Sequence, residues 1–141
     1  MKLDIYHRHF PFLFIACLFI GCDFRNGTDD VANMNLPDKV DFNFHVKPIL
    51  SEHCFPCHGP DKNALKAELR LDSPDGGLKR HLTSGKLAFV DGSLKRSEAF
   101  QRMLSSDPEW KMPPPDFKRD MSDRDLAMIR KWILQGAEYK E

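Results

Sequence analysis

Apolar and polar positions follow three rhythms along the 141-residue chain. Phe10 to Ile20 is almost continuously apolar. From Asp23 to roughly Lys39 the residues turn polar, with Asn26-Gly27-Thr28-Asp29-Asp30 at the centre and no helical or strand period. Beyond Asp41 the apolar positions recur at helical spacing. Val46, Ile49, Leu50 and His53 fall at i, i+3, i+4 and i+7, which predicts a short helix whose start is restricted by Pro48. Phe100, Met103 and Leu104 share a face and predict a helix from about Ser97 to Ser105. The last helix is the clearest. Ser122 with Asp125 approximates a capping box, Leu126, Ile129 and Ile133 make a buried stripe with Trp132 beside it, and Gly136 suits its stop. This helix is expected to pack across the one that ends at His53.

The first rhythm changes once its flanks are considered. Lys2 and Arg8 precede an apolar run shorter than the roughly 20 residues that a membrane-crossing helix needs, which is the layout of an export signal. Gly21-Cys22 resembles the lipobox of bacterial lipoproteins, where the cysteine thiol is acylated and the signal is cleaved before it. Phe19 stands where that pattern usually has Leu, and Ala16-Cys17 offers a second site with a shorter apolar run. A plain cleaved secretory signal is the alternative. The expected organisation is a signal peptide over 1–21, a flexible tether over 22–40 reaching on the order of 20–25 Å, and one domain over 41–141. Basic and acidic residues balance at 21 each, so overall charge gives no reason to expect a nucleic-acid partner.

Chemistry concentrates at Cys54-Phe55-Pro56-Cys57-His58, a C-x-x-C-H string. Two thiols at this spacing can add to the two vinyl groups of one haem, and the following histidine can supply the proximal iron ligand. A redox-active disulfide would want a thioredoxin-like βαβ context that this Pro-rich chain lacks, and a zinc site would want a second Cys or His pair at finger spacing. Export also favours haem, because an exported free dithiol is normally oxidised. For the second axial ligand, Met112 stands in Trp110-Lys111-Met112-Pro113-Pro114-Pro115, where prolines hold the backbone extended and present the thioether from a stiff loop. Met103 and Met128 lie on apolar helical faces and read as core. Among the histidines, His53 is expected to pack on its helix or touch a haem propionate, His45 is a further rival, and His81, in a polar stretch, is the leading alternative to Met112.

Five ordered strings carry a resemblance: Phe42 to Cys54, Cys57-His58-Gly59-Pro60-Asp61, Leu69-Arg70-Leu71-Asp72, Lys111-Met112-Pro113-Pro114, and Ile129 to Ala137. From about Phe42 to Tyr139 the chain resembles the planctomycete-type cytochrome c domain. The resemblance implies an all-α, class I mono-haem cytochrome c fold with one covalent haem c, and with His58 and the methionine of the Met-Pro-Pro string as iron ligands. In that family the domain often precedes large further domains, so either a separate protein is served or the chain is a shortened relative of a multidomain one. The expected role is a carrier, not an enzyme, passing single electrons between separate redox proteins while lipid-anchored at the periplasmic side of a membrane. A haem-based sensor of small ligands and a peroxidase-like enzyme are the alternatives; the sensor needs a distal position that is open or from which a gas displaces Met112, and the enzyme needs an open position with an acid–base group beside it.

Overall fold

The structure, a computed structural model, describes residues 34–75, 77 and 81–139. The expected signal peptide, Cys22 and most of the expected tether lie outside the described residues. A π-helical turn, Phe42–Val46, runs directly into α1, Lys47–His53, and α2, Phe55–His58, follows it; α3 spans Glu98–Met103 and α4 spans Asp123–Leu134. Among the described residues there is no strand, only an isolated bridge between His81 and Leu87. The helical class expected from periodicity is therefore observed. No described helix is long and apolar enough to cross a membrane.

Local chemistry explains each helix boundary. The Asp41 carboxylate accepts from the Phe44 N–H at 3.1 Å, and the Asp41 N–H donates to His45 Nδ1 at 2.8 Å, so both open the π-helical turn. Pro48 falls in the first turn of α1, where its fixed φ suits the helix. Ser97 occupies the N-cap position of α3 without capping it. Its hydroxyl is turned inward, accepting from the Val90 N–H at 2.9 Å and donating to the Ser93 carbonyl at 2.7 Å. α3 ends at Met103, so Leu104, expected on the buried face, is 56% exposed. α4 opens on the expected reciprocal capping box between Ser122 and Asp125. It closes at Gly136, whose φ of +112° is in the left-handed region that glycine enters without penalty.

α4 runs antiparallel to the continuous stretch from Phe42 to His53. Phe42 and Trp132 meet at one end with ring centroids 5.8 Å apart, and His53 Nε2 lies 3.9 Å from Asp125 Oδ2 at the other. Phe89 meets Trp132 edge-on at 5.2 Å, and Tyr139 packs on Phe42 at 4.2 Å. Burying side chains of this size contributes about 1.5–3 kcal/mol each, so this aromatic cluster with Val46, Leu50, Ile129 and Ile133 is the main cohesive element. α3 packs against α4 from another side.

The folded unit takes in residues on the tether side of Asp41. Val40 is buried and its N–H donates to Gln135 Oε1 at 2.8 Å; Gln135 Nε2 donates to the Asp38 carbonyl at 2.6 Å, and Arg124 bonds the Met34 carbonyl. Side chains at both ends of α4 thus hold 34–40 against the domain.

Candidate haem site

A single helical turn brings the attachment residues together. The Cys57 and His58 N–H groups both donate to the Cys54 carbonyl, at 3.1 and 2.7 Å, and the i, i+3, i+4 spacing places Cys54, Cys57 and His58 on one side of α2. Gly59 follows with no room for a side chain: a Cβ there would come within 2.4 Å of the Phe55 carbonyl oxygen. The next loop is laced back onto the motif, Lys66 N–H to Cys57 O and Leu71 N–H to His58 O, each at 2.8 Å. Those bonds set Leu69 and Leu71 as an apolar wall beside His58. From the other end of the chain, the Met112 N–H donates to the Arg102 carbonyl at 3.1 Å.

These segments enclose a cavity of about 420 Å³ lined by Cys54, Cys57, His58 and Met112 together, with Leu69, Leu71 and Phe117 in its apolar walls. That volume falls within the range of cofactor pockets. Met103, assigned to the core from its helical face, also lines the cavity while packing into the hydrophobic core; Met128 stays in the core alone. His53 is buried and borders the cavity, its Nδ1 donating to the Arg119 carbonyl at 3.3 Å. His45 is engaged with Asp41, and the exposed His81 donates from Nδ1 to the Gly85 carbonyl at 2.8 Å and does not reach the cavity.

The electrostatics suit a ligating histidine and speak against Cys54 as a thiol–disulfide exchange cysteine. Burial, with Cys57 adding to it, pushes the Cys54 thiol up to about 12, the reverse of the depressed value that a thiol–disulfide exchange cysteine needs. Burial also lowers the His58 imidazole below its ordinary range; the Lys66 backbone offsets part of this and the positive Arg102 adds to it. The imidazole is thus held neutral, the form that binds a metal. Its Nδ1 is buried and makes no hydrogen bond of ordinary geometry, although the Lys66 and Leu69 backbone lies close to the ring. Two free thiols, a neutral imidazole with a buried nitrogen and a half-buried thioether on one apolar cavity fit covalent haem. Among the described residues no three His, Cys, Asp or Glu side chains converge as a zinc ion would require.

Residues 54–116 match the family model described as Planctomycete cytochrome C. Over this segment the chain is similar to planctomycete-type cytochrome c. The match opens on Cys54 and includes Cys57, His58 and Met112; it is shorter than the Phe42 to Tyr139 span over which the sequence resembles the family. No curated protein and no solved structure matches the chain. A cytochrome c segment implies haem binding, in agreement with the C-x-x-C spacing of Cys54 and Cys57, and an electron-transfer type of role.

Sequence reasoning missed Arg102, which lines the cavity, and Glu98, which binds it. Their i, i+4 spacing on α3 was a visible signal.

Proposed function

We propose that the chain is a class I, mono-haem cytochrome c that carries single electrons between separate redox proteins and is held at the outer, periplasmic side of a bacterial membrane by lipid on Cys22. The observation that carries this reading is the one apolar cavity bordered by both the attachment motif and Met112. When bound there, haem supplies an iron that cycles between ferric and ferrous states.

The chain's own residues have distinct tasks. The Cys54 and Cys57 thiols each add their S–H across one vinyl C=C, so every atom is retained and two thioether links result. His58 supplies an imidazole ligand and Met112 a thioether, a pair that raises the reduction potential relative to two histidines. Leu69, Leu71 and Phe117 give the cavity apolar walls, which lower the local dielectric around a bound haem. A carrier needs no substrate site, and we read the protein as a carrier and not an enzyme.

The test is a haem stain of membrane and soluble fractions after denaturing electrophoresis. The expected result is a haem-positive band in the membrane fraction that survives acid–acetone extraction and disappears when Cys54 and Cys57 are both replaced by Ala. Haem that extracts freely from the unaltered protein overturns the reading.

A further inference from the structure

The loop that bears Met112 is fixed at two points by one residue. Arg102 accepts the Met112 N–H on its carbonyl at 3.1 Å, and its guanidinium lies 5.1 Å from the centre of the Trp110 ring, two residues earlier. A guanidinium over an indole face is held there by cation–π attraction, which arginine supplies more often than lysine. The guanidinium is itself held: Arg102 Nε and Nη2 donate to Glu98 Oε1 at 3.2 and 3.0 Å. The Glu98 side chain is 3% exposed, and Lys86 Nζ lies 3.2 Å from its other oxygen, so the carboxylate is buried but paired on both sides. The backbone adds to this, with the Glu98 N–H on the Leu87 carbonyl at 3.1 Å and the Ala99 N–H on the Ala88 carbonyl at 2.9 Å, which anchors the start of α3. A buried carboxylate on an anchored helix turn thus aims a guanidinium at the loop, and the loop carries the thioether to the cavity.

We propose that Glu98, Arg102 and Trp110 form a clamp that positions Met112 against the haem cavity and sets how readily an external ligand displaces it. This rests on the reading of Met112 as the axial ligand. Glu98 and Trp110 are not among the residues lining the cavity, so neither acts on the iron by contact with haem; Glu98 acts through Arg102, which does line the cavity, and Trp110 through the loop.

The experiment compares haem-loaded wild-type protein with Glu98→Gln, Trp110→Leu, Met112→Ala and Ile129→Val. Two properties are read: the rate of carbon monoxide binding to the ferrous form, and the strength of the far-red absorption of sulfur-ligated ferric haem. Glu98→Gln weakens the hold on the guanidinium, and Trp110→Leu removes its stacking surface with the ion pair intact. Each should speed carbon monoxide binding on the order of tenfold, equivalent to ~1.4 kcal/mol of lost loop closure, and weaken the far-red band. Ile129→Val trims the core away from the loop, so it should lower the unfolding temperature and leave both readouts unchanged. Clamp variants that keep the wild-type rate and band while Met112→Ala loses both overturn the clamp alone. An Ile129→Val protein shifted as far as the clamp variants also overturns it, because general destabilisation would then suffice. If Met112→Ala binds carbon monoxide no faster than wild type, the ligand reading and the clamp fall together.

Discussion

Tyr139 donates its hydroxyl to the Leu71 carbonyl at 2.7 Å, and the Leu71 N–H donates to the His58 carbonyl at 2.8 Å, so the stretch after α4 braces the backbone of the iron-ligand candidate. Burial pushes the Tyr139 hydroxyl well above the ordinary phenol range, with Cys54 and Asp72 adding to the rise. Tyr139→Phe leaves the Leu71 carbonyl without this partner and should cost about 1–2 kcal/mol at neutral pH. The sign with pH follows from the neutral phenol being favoured in the fold. Its contribution is complete below the unfolded value of 10.0 and is lost as pH rises from there through the higher folded value. Denaturant unfolding of both proteins from pH 7 upward checks this: the wild-type advantage over Tyr139→Phe should shrink above about pH 10.

α4 and the attachment turn were legible in the sequence because their determinants are local. Ser122 and Asp125 cap each other three residues apart, and Cys54, Cys57 and His58 share one turn. Contacts that join distant residues were not. Val40 looks like part of a polar linker until Gln135, 95 positions away, takes its N–H. Periodicity placed Met103 on an apolar face but could not show that the face is also a cavity wall. Glu98 and Arg102 have helical spacing in the sequence, yet the burial that makes the pair strong depends on Lys86 and the Leu87 and Ala88 backbone folding over the start of α3.

Glu98 should make the fold acid-sensitive. Burial pushes its carboxyl up, but hydrogen bonds from Arg102 and Lys86 more than offset this and hold it below the ordinary value of 4.5. A depressed carboxylate contributes stability above its unfolded value and loses it as pH falls through the folded one. Glu98→Ala should therefore cost about 1–2 kcal/mol at pH 7, where it leaves a half-buried guanidinium without its carboxylate, and progressively less below about pH 4.5. Urea unfolding of the two proteins between pH 7 and pH 3 measures it. A difference that stays constant across that range would mean that the carboxylate charge contributes nothing.

Anchoring should depend on one thiol. If Cys22 carries lipid, Cys22→Ala protein should lack the acyl mass and leave the membrane fraction more readily, since each buried methylene contributes about 0.8 kcal/mol. Mass spectrometry of the mature N-terminus decides the matter; an unmodified terminus downstream of Cys22 would contradict acylation there.

Met112 is the residue on which the carrier reading depends most after the attachment motif, and the cavity supplies its own rival in Met103. A thioether on a residue whose N–H is bonded to the Arg102 carbonyl and which is followed by Pro113 should give low-spin, six-coordinate iron that resists carbon monoxide and has a relatively high potential. Met112→Ala should open that position: carbon monoxide binds readily, the far-red sulfur band is lost, and the potential falls as water or an imidazole replaces sulfur. Met103→Leu nearly conserves volume, should cost under about 1.5 kcal/mol, and should keep the sulfur band. His81→Ala should change nothing at the iron, because that imidazole is exposed and bonded to Gly85. The three spectra separate the candidates. Loss of the band in Met103→Leu but not in Met112→Ala would move the ligand to Met103, and a changed spectrum in His81→Ala alone would make the iron bis-histidine. Five-coordinate iron in the unaltered protein would leave an open distal position, and the small-ligand sensor or the enzyme would then describe the site better than a carrier.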